Sequence, residues 1–349
     1  MAALLKAIKV SAGDEVVVQA FTCVAVVEAV MALGAKPIYV DIEPYGYNIC
    51  PKDLVNKITN KTKVLVVQHT FGIPAAMKAI ISIAESANVL IIEDCCHTIC
   101  SSQDGQVVGS WGIGSFFSFE WGKPVAVGIG GVALTKSDEI KDRLYEDFKK
   151  YTEPPKIKNL KVQIQYIAHK LLYRPRFYWI VRGTYKTLGN WGIAEGNYHS
   201  VKKNIVSEEF GWKILPTIKN RIISEIKNIQ IIADHAREVA KIYRSTIDNK
   251  NVGHPIIPPG CDPIFARYPI RIQNKENVLN MARRENVELA DWYSSPVHPL
   301  SKDDLIKVGY VADSCKQAEM RCNEVVTLPT HRKTGTKDIS RAVKFINSL

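Results

Sequence analysis

Short apolar runs alternate with stretches whose apolar positions recur every three or four residues over the first 150 positions. Glu15–Gln19 (EVVVQ), Lys36–Ile42, Val64–His69 and the run ending at Asp94 (NVLIIED) read as buried strands. Ala2–Val10, Val24–Leu33, Asp53–Ile58 and Ala75–Ala87 read as helices, the second stopping at Gly34. Thr70-Phe71-Gly72 reads as a turn. Two further runs, Ser115–Phe119 and Gly131–Thr135, have the aromatic and β-branched composition of strands and flank a glycine-rich bend. Ser137–Tyr151 is charged and helical. This alternation predicts an α/β fold with a mostly parallel sheet covered by helices on both faces. Farther on, Pro216–Ser245 reads as one long helix with a buried stripe of Ile222, Ile223, Ile226, Ile229 and Ile232. The strand Arg267–Ile272, the helix Lys275–Glu285 and a last helix Thr336–Asn347, capped near Gly335–Thr336, follow.

The bend from Gly122 to Gly131 carries one charged residue, Lys123. It is either a loop lysine or an amine in partly apolar surroundings, able to attack a carbonyl and form a Schiff base. Asp94 closes a buried parallel strand, which puts its carboxylate at the sheet edge where α/β proteins build their sites. There it can hold the pyridinium nitrogen of pyridoxal 5'-phosphate (PLP), and Ser118 can donate to the phosphate. Gly128, Gly130 and Gly131 precede a strand rather than a helix, which argues against a dinucleotide loop. Cys95, Cys96, His97 and Cys100 do not have zinc-site spacing, so no metal site is expected.

Composition narrows the class. The chain has 349 residues, 46% of them hydrophobic, and no run that approaches a membrane span. No secretory leader is recognised at Met1–Val10, and eight irregularly spaced cysteines suit reduced thiols, so a cytoplasmic protein is expected. The net charge is +11, with the densest basic clusters in 149–186 and 202–226. No zinc-finger, RNP-type or helix-turn-helix pattern accompanies it, so no nucleic-acid partner is expected. Residues 166–186 (YIAHKLLYRPRFYWIVRGTYK) interleave aromatics with Arg and Lys. They suit either weak contact with a membrane surface or packing on the protein itself. Pro175 favours the second, because it interrupts any single amphipathic helix.

The order IIEDCCHT, GQVVGSWG, FSFEWGK, GIGGVALT, preceded by GDEVVVQAFTCVAVVEAVMALGAKPIYVDIEP and VVQHTFGIPAAM, resembles the DegT/DnrJ/StrS family of PLP-dependent sugar aminotransferases, PLP fold type I. WYSSPVHPL and VVTLPTH continue the pattern. The resemblance implies Lys123 as the lysine that holds PLP and shuttles a proton, and Asp94 as the partner of the ring nitrogen. It places His97 beside the cofactor's 3-hydroxyl and His298 near the substrate, with Tyr293 and His331 as further candidates. It also implies a homodimer acting on a sugar nucleotide, with an amino-acid donor such as glutamate.

Three departures qualify the match. The chain starts just after the family's Gly-Thr phosphate turn. Cys23 stands where an aromatic usually stacks on the cofactor, and Lys213 near the place of an asparagine that reaches the neighbouring subunit's phosphate. The first departure suits a non-catalytic relative that binds a sugar nucleotide or a partner subunit. Retained Lys123 speaks against that reading, and against the family's sugar dehydratases, which lack this lysine. The implied organisation is a large PLP-binding domain (1–150), a basic aromatic-rich insertion (151–206) without a recognised counterpart, a connection (207–221) and a small C-terminal α/β domain (222–349).

Overall fold

The computed structural model describes residues 1–190 and 211–349. Residues 191–206 of the expected insertion and 207–210 of the expected connection lie outside the described residues. In chain order the first part runs α1 (Ala2–Ala7), β1 (Glu15–Gln19), β2 (Thr22–Cys23), α2 (Val24–Met31), β3 (Lys36–Val40), α3 (Pro51–Lys57) and β4 (Thr62–Gln68). It continues with α4 (Met77–Ser86), β5 (Leu90–Asp94), β6 (Ser102–Gln103), β7 (Gln106–Val107), β8 (Gly114–Ser118), β9 (Gly131–Thr135) and α5 (Asp138–Lys149).

Six of these strands form one sheet in the order β3-β1-β4-β5-β8-β9. Every neighbouring pair is parallel except β8 and β9. The continuous apolar runs follow from this. Val16, Val17 and Val18 of β1 and Val64 to Val67 of β4 are buried on both faces of the sheet. Each bond of the ladder therefore lies in a water-free layer, where an unmade one costs most. The edge strand β9 leaves Val132 and Leu134 exposed on one face. The turn at 70–72 is a single 3-10 turn, and Ser137 caps α5 by accepting the Ile140 N–H.

The second part runs α6 (Lys156–Leu172), α7 (Tyr178–Asn190), α8 (Pro216–Ile226), α9 (Ile229–Thr246), β10 (Cys261–Asp262), β11 (Arg267–Arg271), α10 (Lys275–Arg284) and β12 (Val297–His298). It closes with α11 (Lys302–Leu305), α12 (Lys316–Glu324), β13 (Val325–Pro329) and α13 (Thr336–Asn347). β11 and β13 pair antiparallel. One buried cluster runs without a break from Leu4 to Ile346, so the C-terminal part shares apolar core with the sheet domain. Two short pairings also stitch the halves: β12 runs parallel to β2, and β10 antiparallel to β6.

The stretch 216–245 is not one helix. α8 ends at Ile226 and α9 starts at Ile229, with Asn228 outside helical geometry between them. Both helices still bury residues in one cluster, Ile218 and Ile222 from α8 and Ile232 from α9. Ile222 and Ile232 are buried, whereas Ile223 and Ile226 are exposed, so the continuous isoleucine stripe does not exist. Pro175 interrupts the stretch 166–186, in a 3-10 turn between α6 and α7. Both helices are tied to their own protein: the Trp179 indole donates to the Val287 carbonyl, and Lys333 donates to the carbonyls of His169 and Lys170.

Candidate active site

β5 delivers Asp94 at its carboxyl end, paired in register with Phe116 of β8 and Gln68 of β4. Asp94 is buried, and one oxygen accepts the Cys96 N–H at 2.9 Å. Ser118 ends β8 on the same edge and accepts the Glu120 N–H at 3.3 Å. The chain then bends, and Lys123 projects over the ring of Trp292, its Nζ 5.0 Å from the ring centre. An ammonium over an indole face in partly desolvated surroundings gains about 1–2 kcal/mol, so Trp292 orients this amine.

Trp292 also stacks on His97, with centroids 5.1 Å apart and planes 22° from parallel. His97 Nδ1 accepts the Phe71 N–H at 3.3 Å, which leaves the ring hydrogen on Nε2 to donate to the Tyr293 hydroxyl at 3.2 Å. Burial, and after it the charge of Lys123, holds His97 well below the usual histidine range. It is therefore a neutral N–H donor at pH 7. Tyr293 is fully buried, with Cys23, Asp94 and Cys96 around it. Cys23 is the register partner of His298 across the β2–β12 pair. His298 Nδ1 accepts from the amide and hydroxyl of Ser294. Burial lowers the pKa of His298 to about 4, with Lys275, Arg182 and Lys123 adding to the shift against Asp291.

Asp94, His97, Lys123, Cys23 and His298 thus converge with Tyr293, and Ser118 lies on the same sheet edge. Lys213 sits elsewhere on this chain: its backbone pairs with Thr152, and its Nζ is 4.0 Å from Glu153. Among the described residues, no hydrogen bond or ion pair joins it to Asp94, His97 or Lys123. His331 belongs to a separate buried group, 3.3 Å from Glu288, which also binds Arg267 and Tyr173.

Sequence reasoning missed Trp292, whose only signal was its place before Tyr293. It also missed Glu93, hidden by its neighbour Asp94. Glu93 points to the opposite face of β5 and accepts the N–H groups of Gly109, Trp111 and Gly112, besides His69. Those contacts anchor the turn that leads into β8. His69, Glu93 and Cys95 lie close enough to suggest a metal site. The Glu93 oxygens are already taken by these donors, which makes the trio structural. Trp121, next to the Lys123 bend, stacks on His169 of α6 at 4.2 Å. α6 therefore touches the lysine bend directly.

The residues present fit PLP. A buried carboxylate on a strand end, an amine held over an aromatic face, a serine hydroxyl and a neutral histidine are the donor set that a pyridine ring bearing a phosphate and an aldehyde requires.

A family model described as the DegT/DnrJ/EryC1/StrS aminotransferase family matches residues 1–162 and 191–347 and leaves out 163–190, within the expected insertion. The GDP-perosamine synthase of Escherichia coli O157:H7 is 39% identical over 139 residues, 40% of this chain and 38% of that protein. A UDP-N-acetyl-3-dehydro-alpha-D-glucosamine 3-aminotransferase of Acidithiobacillus ferrooxidans is 26% identical over 344 residues, 98% of this chain and 79% of its own length. The fold matches the PLP-form of a putative sugar aminotransferase from Streptococcus pneumoniae with a TM-score of 0.75 at 18% identity, covering 99% of this chain and 84% of that one.

Proposed function

We propose, from the premise that the chain belongs to the DegT/DnrJ/EryC1/StrS aminotransferase family, that it is a PLP-dependent aminotransferase. It moves an amino group from a donor such as glutamate to a keto group of a nucleotide-linked sugar, in amino-sugar or cell-surface polysaccharide synthesis. The observation that carries this reading is Lys123, held over Trp292 beside the buried Asp94 edge. The named activities of the relatives support the substrate class. The +11 net charge suits an anionic sugar nucleotide.

Asp94 would hold the ring nitrogen, Ser118 the phosphate, and Cys23 would pack against the ring. When bound, PLP supplies the electron sink for the carbanion left at the substrate Cα. Lys123 Nζ would take the Cα proton as general base and pass it on as general acid to a carbon other than Cα, so that the amino group leaves the donor. His97, neutral and pinned by Phe71 and Tyr293, donates from Nε2 without competing for that proton. Burial of His97 and Tyr293 keeps water from the proton path. His298 lines the substrate side. The protein works in the cytoplasm as a homodimer in which the partner copy covers Val132 and Leu134 of β9 and receives Lys213 near its phosphate.

The test is an absorption spectrum of the purified chain with PLP, beside Lys123→Ala. The parent should develop a visible or near-ultraviolet band of lysine-bound cofactor that glutamate bleaches, and the variant should not. No band in the parent at saturating PLP would overturn the reading.

A further inference from the structure

We propose that α6 and the turn after it form a docking surface for an anionic lipid bilayer. Ile157, Leu160, Ile164, Ile167 and Leu171 recur every three or four residues, and each is more than half exposed, from 55% to 68%. Residues at that spacing share one side of a helix, here about 25 Å long. Phe177 and Ile180 extend the exposed apolar surface past Pro175. The opposite side of the helix is fixed to the protein. Val162 is buried, Tyr166 lies under the Arg221 guanidinium at 3.7 Å, and His169 stacks on Trp121. The stripe therefore faces outward on an anchored helix.

Its surroundings select the occupant. Residues 154–190 contain eight Lys and Arg and no Asp or Glu. By helical angle, Lys156 and Lys170 flank the stripe on one side and Lys161 on the other. Apolar side chains between rows of long basic ones match the boundary between acyl chains and anionic headgroups, where the lysine stems lie along the apolar layer and the ammoniums reach phosphate. A second copy of this chain would set two such basic faces against each other. Among the described residues, no helix is long and apolar enough to cross a membrane, so the contact is peripheral. The family model leaves out 163–190, so most of the surface belongs to the inserted segment.

The test is sedimentation of the full chain, loaded with PLP, with vesicles of phosphatidylglycerol and phosphatidylcholine, against vesicles of phosphatidylcholine alone. The parent should pellet with the anionic vesicles at low salt, not with the neutral ones, and should be released by added salt. Lys170→Gln and Arg174→Gln should each weaken binding about fivefold. I164E/I167E should abolish it while leaving the circular dichroism, the cofactor spectrum and the mass by light scattering unchanged. Three results would overturn the proposal: no pelleting of the parent at low salt, undiminished pelleting of I164E/I167E, or a fall in the mass of that variant. The last would assign the stripe to contacts between copies. The lipid and salt comparisons use the parent alone and hold even if a variant misfolds.

Discussion

Lys123 holds its Nζ 5.0 Å from the centre of the Trp292 ring, although 169 positions separate the two in the chain. The same indole stacks on His97. Trp292 is thus shared by the amine and by its neutral histidine neighbour. Replacing it with alanine removes both supports, each an aromatic contact of about 1 kcal/mol. Trp292→Ala should weaken PLP binding about thirtyfold, and Trp292→Phe should recover most of it. Titrating the cofactor band checks this, and equal affinities for the parent and the alanine variant would contradict it.

Gly128 has φ +106°, and a Cβ there would stand 2.5 Å from Trp121 Cζ2. Trp121 is also stacked on His169, which limits its room to yield. Gly128→Ala should destabilise the fold by about 1–3 kcal/mol. It should also displace the Lys123 bend, and with it the absorption maximum of bound cofactor. Thermal unfolding and the spectrum report the two effects separately.

Glu93 accepts three backbone N–H groups and the His69 ring. Burial alone would raise its pKa, but the hydrogen bond and charge of His69 and the bonds from Gly112 and Gly109 bring it below the ordinary value. A glutamine puts an amide donor among these donors. Glu93→Gln should cost about 2–3 kcal/mol in chemical denaturation. Cofactor binding should survive in the folded fraction, because Glu93 faces away from Asp94.

Glu288 is buried with Arg267 at 2.9 Å. Burial pushes its pKa up, but His331 and Arg267 outweigh that and bring it to about 2. The folded value lies below the unfolded one. The stabilisation is therefore complete above about pH 4.5 and is lost as pH falls toward 2, amounting to about 3 kcal/mol. Glu288→Gln should remove this part of the acid dependence and destabilise at neutral pH, because Arg267 is left buried without its charge partner. The double change Glu288→Gln with Arg267→Met should recover part of the loss. Unfolding curves between pH 7 and pH 3 check both outcomes.

Much of the architecture was legible in the chain itself. Residues 131–135 and 336–347 form the expected strand and helix, and the sheet strands fall within a residue or two of their expected bounds. A parallel strand buried on both faces needs an unbroken apolar run, and such a run can be read locally. The acid that ends one, Asp94, was legible for the same reason, as was Lys123, a lone charge on a glycine-rich bend. The break at 227–228 was not, because the apolar period of 3.6 persists across it. Trp292 over Lys123, Tyr293 on His97 and Glu288 with Arg267 and His331 join residues far apart in sequence. Periodicity records which side of an element is buried but not what it meets there. Those partnerships were decided only when the sheet edge, α6 and α7, and the C-terminal part packed into one structure.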